Sequence, residues 1–209
     1  MKGHSARIVE IMAWTTSLRA PAAGAATPSG PAVGAWAAYR WTSSVSHEVP
    51  VVVRQEGADG RVSWSVSRES TAPSPLFVTF GIVGGDAKTY TLQIVTSRAV
   101  DGPPLSVTQL RVDRVSGKAI RSVTRAPKGV APTPDDPLRP LRAADLKGSS
   151  ESVTVPAGQF TAVRALYRDG TAWVSDEVPA MGLVKAVFPS GALELVRSGP
   201  SGAKDLLRS

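Results

Sequence analysis

Arg61-Val62-Ser63-Trp64-Ser65-Val66-Ser67-Arg68 is the stretch that decides the fold class, because every second residue in it is large and apolar. A period of two sends successive side chains to opposite faces of an extended strand, so Val62, Trp64 and Val66 share one face and three serines the other. Just before it lie a valine-rich run over residues 48–55 and the turn-forming Gly57-Ala58-Asp59-Gly60. The two runs therefore read as a β-hairpin.

The same alternation recurs along the chain. It is found over residues 88–96 and 105–114, which are separated by Asp101-Gly102-Pro103-Pro104, and again over 119–124 after Ser116-Gly117. Half-buried alternation with short polar connections is the pattern of neighbouring antiparallel strands; a parallel sheet would show longer apolar runs separated by helices. Residues 76–83 are apolar without alternation, which leaves a central strand and a buried helix both open there. Residues 125–140 hold five prolines together with Asp135 and Asp136, and proline removes a backbone donor and restricts its predecessor, so this is a long connection. A turn of helix is expected at 143–147. Beyond it, short strands are expected at 152–156, 160–167, 171–175, 182–188 and 192–197, with turns at Ala157-Gly158, Asp169-Gly170 and Ser190-Gly191. Ten or more strands with so little helix form an all-β domain: a strongly curved antiparallel sheet or a half-open β-barrel, since a flat sheet of that size would expose an apolar face and two bare edges.

The chain has 209 residues, 42% of them hydrophobic, which suits one domain. We assign residues 33–199 to that domain and 200–209 to a C-terminal tail. Residues 1–32 are set apart as a disordered tail or a degenerate signal segment. Lys2 and Arg7 precede a short apolar run and the small residues Ala22-Ala23-Gly24-Ala25-Ala26, but Glu10 and Arg19 interrupt the pattern. A periplasmic or otherwise exported location is the expectation, and no run approaches the ~20 apolar residues that span a bilayer.

The formal charge is +7. Arg54, Arg61, Arg68, Arg111, Arg121 and Arg164 are scattered singly, without the interleaved stacking aromatics of single-strand binders, and nucleic acid is not expected as a partner. The absence of cysteine rules out disulfides, thiolate catalysis and Cys-ligated metals. Two histidines, His4 and His47, are too few for a zinc site, and His47 beside Glu48 reads as a surface pair. Gly84-Gly85-Asp86-Ala87-Lys88-Thr89 fails as a phosphate-binding loop because Ala87 stands where glycine is needed and a strand follows. No Gly-x-Ser-x-Gly elbow is present. The inventory points away from an enzyme, and neither a cofactor nor a metal is expected.

Val153-Thr154-Val155-Pro156-Ala157-Gly158-Gln159-Phe160, then Ala172-Trp173-Val174-Ser175, Val178-Pro179, Gly182-Leu183-Val184-Lys185 and Leu193-Glu194-Leu195, with Gly34, Trp36 and Tyr39 near the start, carry a resemblance. The chain resembles uncharacterised bacterial envelope proteins related to the lipoprotein-carrier (LolA/LolB-like) β-fold. The resemblance implies a half-open barrel whose concave apolar face holds a lipid or an acylated partner. The candidates for that face are Trp64, Trp173, Met181 and Val184. The alternative is a structural or protein-interaction component of the envelope that meets a partner through a strand edge or its basic face.

Overall fold

Tyr39 marks the middle of the molecule: in the register of its strand it faces Val78 on one side and Leu195 on the other, so residues far apart in the chain meet on adjacent strands. The computed structural model describes residues 31–44, 47–56, 62–71, 74–125, 140–167 and 170–208, with the backbone alone for 47–56, 62–71 and Tyr167. Twelve strands run through these residues: β1 (Trp36–Ser43), β2 (His47–Glu56), β3 (Val62–Thr71), β4 (Leu76–Gly85), β5 (Thr89–Ser97), β6 (Pro104–Asp113), β7 (Ala119–Arg125), β8 (Ser149–Val155), β9 (Gly158–Tyr167), β10 (Gly170–Val174), β11 (Leu183–Phe188) and β12 (Gly191–Gly199). The turn of helix expected after the proline-rich connection is a 3₁₀ turn at Ala143–Asp145.

Ten strands form one antiparallel sheet in the order β7-β6-β5-β4-β1-β12-β11-β10-β9-β8. Two meanders, β4 to β7 and β8 to β12, are joined through β1, which pairs with the first strand of one and the last of the other. The apolar run over residues 76–83, ambiguous by pattern, is strand β4. It lacks alternation because both of its faces are covered, Val78, Phe80 and Ile82 toward the core and Gly81 beneath a later segment of the chain.

The hairpin that decides the fold class stands apart. β2 and β3 pair with one another in a separate two-stranded sheet, because β1 and β4 pair directly and leave no place between them. Pro50 in β2, opposite Arg68, lacks a ladder donor, which a two-stranded ribbon tolerates because each strand has a free edge. The side chain of Trp64, like those of His47 and Glu48, lies outside the described residues.

The core lines one face of the ten-stranded sheet. Ile82, Leu92 and Leu110 form one cross-strand row, and Tyr90 and Val112 are paired in a row nearby. All five are at most 3% exposed, and each contributes about 1.5–3 kcal/mol by leaving water. Tyr39 and Phe80 meet edge to face at 5.7 Å.

The sheet is curved and does not close into a barrel. β8 returns to touch β11 and β12, three and four places away in the strand order, and the Ala157 N–H in the β8–β9 turn donates to the Leu195 carbonyl on β12. Burial along β9 passes from Ala162 to Ala165, an odd step, so these two buried alanines lie on opposite faces of the strand, and of the two only Ala162 joins the core cluster.

Residues 201–208 lie across the other face as a strap. It follows the single cross-strand row Trp36, Gly81, Gln93, Gln109 over β1, β4, β5 and β6. The Trp36 indole donates to the Ser201 carbonyl at 3.0 Å, and Ala203 N donates to the Gly34 carbonyl at 2.9 Å. A Cβ at Gly81 would stand 3.2 Å from that of Ala203, a close approach that glycine permits. The Gln93 amide donates to the Lys204 carbonyl at 2.8 Å and accepts from Leu206 N at 2.9 Å, so one side chain satisfies two strap backbone groups. With both faces covered, β5 is buried at nearly every position.

Candidate functional site

Two regions bear on function: the apolar interior and a cleft beside the strap. The interior takes two of the four side chains singled out from sequence, Met181 at 2% exposure and Val184 fully buried. Val184 is the extra residue where the β10–β11 pairing shifts between Trp173 and Val174, and the bulge turns it inward. Trp173 is half-buried in a different row, one that runs Arg40, Glu194, Lys185, Trp173, Arg164 across β1, β12, β11, β10 and β9. Its indole N–H donates to the Glu151 carboxylate and the Arg164 guanidinium lies 6.0 Å from its ring. In the same row Arg40 and Lys185 each reach the Glu194 carboxylate at 3.0 Å. Partial burial pushes that carboxyl up, but the hydrogen bonds from Lys185 and Arg40 outweigh it and hold Glu194 below the usual range.

Two irregular segments cap the interior. Leu141, from the chain around the 3₁₀ turn, and Val178, Ala180 and Met181, from the β10–β11 connection, join the same buried cluster as the sheet. The two segments are tied together by Leu141 N donating to the Met181 carbonyl at 2.9 Å and by Ala143 N donating to Asp176 at 3.1 Å. The connection is tightly wound. Ala180 holds a left-handed φ of 66°, unfavourable for a residue with a Cβ, and Gly182 holds 72° with the Leu141 carbonyl oxygen 2.1 Å from where its own Cβ would be. Inside, the Tyr39 hydroxyl donates to the Leu183 carbonyl at 2.9 Å, and burial pushes its phenol far above the ordinary value.

The second region lies on the strap face. A cleft of about 450 Å³ opens between the β4–β5 turn, the outward side of β6 and β7, and the end of the strap. Part of its floor is the row Gly84, Thr91, Arg111, Arg121. Asp86, in the Gly-rich segment rejected as a phosphate loop, organises the turn: one carboxylate oxygen accepts from Lys88 N at 2.8 Å and from Thr89 N at 2.7 Å, while the other meets Arg111 at 3.3 Å. The backbone hydrogen bonds from Lys88 and Thr89, helped by Arg111, hold the Asp86 carboxyl below its usual range. At the strap end Asp205 accepts from the Gln109 amide at 2.6 Å and from Leu207 N at 3.0 Å. Burial pushes the Asp205 carboxyl up, and these hydrogen bonds more than offset it.

In the sequence Arg111 and Arg121 stand as scattered charge, and Gln93, Gln109, Asp205 and Arg208 carry no signal of a shared site. Their convergence depends on registers across four strands and on where the strap lands, neither of which periodicity reports. Asp135 and Asp136 lie outside the described residues. Among the described residues no three His, Cys, Asp or Glu side chains gather as a metal site, and no helix is long and apolar enough to cross a membrane. No protein-family model matches the chain, and no curated protein matches it.

Proposed function

We propose that the protein is a non-enzymatic binding or carrier module of the cell envelope, related to the LolA/LolB-like carriers, that holds a lipid or an acylated partner against the inner apolar face of its sheet. The observation that carries this reading is the form of the cap. The inner face is covered in part by two short irregular segments, joined through Leu141 and Met181 and wound through left-handed backbone at Ala180 and Gly182, rather than by a second sheet. Such a cover has fewer hydrogen bonds to break than a sheet has, so an acyl chain displaces it at lower cost, and the Met181 side chain adapts readily to a flexible guest.

The test is native mass spectrometry of the full chain purified from an envelope fraction, with lipid extraction of the same sample and titration with a fluorescent fatty acid. A stoichiometric acyl species, or saturable probe binding that a Met181→Trp substitution reduces at least tenfold, supports the reading. An apo mass together with no saturable probe binding rejects it.

A second reading, an interaction component of the envelope, draws on the sheet edge. β7 pairs with β6 alone among the described strands and exposes Ile120 at 59% and Val123 at 45%, an edge suited to strand addition by a partner protein. A pull-down from the same fraction that depends on Ile120 would favour it.

A further inference from the structure

The cleft beside the strap contains more positive charge than its own carboxylates neutralise. Arg111 and Arg121 stand directly opposite one another on β6 and β7. Like charges in that position destabilise a strand pair, so the arrangement is unfavourable as it stands. Arg208 adds a third guanidinium at the rim, 89% exposed. The two carboxylates present are already engaged: Asp86 serves the Lys88 and Thr89 backbone and Arg111, and Asp205 serves Gln109, the strap backbone and Arg208. Arg121 has no hydrogen-bond or ion-pair partner among the described residues, although it lines the cleft.

From this geometry we propose that the cleft is a binding site for a phosphate-bearing polar ligand, with Arg121 and Arg208 supplying the guanidinium forks and Arg111 the charge between them. Guanidinium groups bind phosphate oxygens in pairs, and an oxyanion between Arg111 and Arg121 turns their repulsion into shared attraction. A volume of about 450 Å³ exceeds what a bare phosphate needs and falls in the range of small-molecule sites, so the ligand carries a further polar group of sugar or glycerol size. Thr91 and the backbone of Gly84 and Gly85 give the floor polar groups beside Val83 and Val123, which suits such a ligand. The same chemistry is offered by a phospholipid headgroup and by a free phosphorylated metabolite. The site stands on the face opposite Leu110 and Val112, so it is independent of the acyl-holding reading.

The experiment uses the full chain at constant ionic strength. Thermal shift and calorimetry are run with glycerol 3-phosphate and inorganic phosphate against matched chloride, and co-sedimentation with phosphatidylglycerol vesicles against phosphatidylcholine vesicles, for the natural chain, Arg121→Gln and Arg208→Gln. Arg121 is exposed and has no partner among the described residues, so Arg121→Gln is expected to melt no lower than the natural chain without ligand; Arg208→Gln, at a side chain 89% exposed, provides a second folded variant. The expected result is phosphate-specific stabilisation or vesicle binding weakened at least tenfold by Arg121→Gln and more mildly by Arg208→Gln. Binding of soluble phosphates identifies a free ligand, and binding of anionic vesicles alone identifies a headgroup. Effects equal to those of chloride, or binding that both variants retain in full, overturn the proposal.

Discussion

Replacing Gly182 with alanine tests the cap most directly. Two costs act together. The φ of 72° is one that a Cβ disfavours by about 1–2 kcal/mol, and the new methyl would stand 2.1 Å from the Leu141 carbonyl oxygen, far inside contact distance. Relief requires Leu141 to retreat, which gives up its hydrogen bond to Met181, a net loss of about 1 kcal/mol, and part of the burial of a side chain now 8% exposed, about 1–2 kcal/mol more. Alanine also restricts the unfolded chain, which returns about 0.5–1 kcal/mol. The net expectation is a loss of about 3 kcal/mol, a large fraction of the stability of an ordinary domain. Gly158→Ala is the control, because Gly158 also has a positive φ, 132°, but nothing within 4 Å of a Cβ, so its cost is the backbone strain alone, about 1–3 kcal/mol before the same gain of about 0.5–1 kcal/mol from the unfolded chain. Urea denaturation of both variants, followed by tryptophan fluorescence and compared at equal m-values, gives the two losses. Equal losses at the two glycines would refute the close-approach argument and with it the account of how the two cap segments are locked together.

Tyr39→Phe removes the hydroxyl that satisfies the Leu183 carbonyl in the interior; a loss of about 1–3 kcal/mol is expected in the same denaturation assay, and an unchanged midpoint would show that the carbonyl finds another donor. Glu194→Gln discharges the shared partner of Arg40 and Lys185 and should cost about 1 kcal/mol at neutral pH. Because the Glu194 carboxyl is held below its ordinary value in the fold, its contribution is complete above about pH 4.3 and fades as pH falls through the folded value, so the gap between variant and natural chain should close in acid; a gap independent of pH would contradict this. Gln93→Leu leaves the Lys204 carbonyl and Leu206 N–H without their shared partner, and hydrogen exchange at Leu206 should accelerate at least tenfold while amides of Leu92 and Leu110 keep their protection.

How much of this was legible follows residue by residue. The strands around Leu92, Leu110 and Val155 declare themselves because a period of two has one physical cause, the pleat, and each turn between them carries glycine, proline or aspartate for its own local reason. β4 was ambiguous because a strand covered on both faces loses its alternation. The strap lies within what the sequence presents as a tail, residues 200–209, since nothing in a short stretch without alternation reveals that Gln93 and Gln109 wait for it.

What the sequence determined by itself, then, is the class of structure: all-β, antiparallel, cysteine-free and poor in helix, all consequences of local preferences a few residues long. Tertiary structure alone decided that β1 joins the two meanders, that the hairpin bearing Trp64 stands outside the main sheet, and that Arg111, Arg121 and Arg208 meet around one cleft. Those outcomes rest on pairings between residues as distant as Trp36 and Gly199, and a linear pattern holds no record of which strand edge finds which.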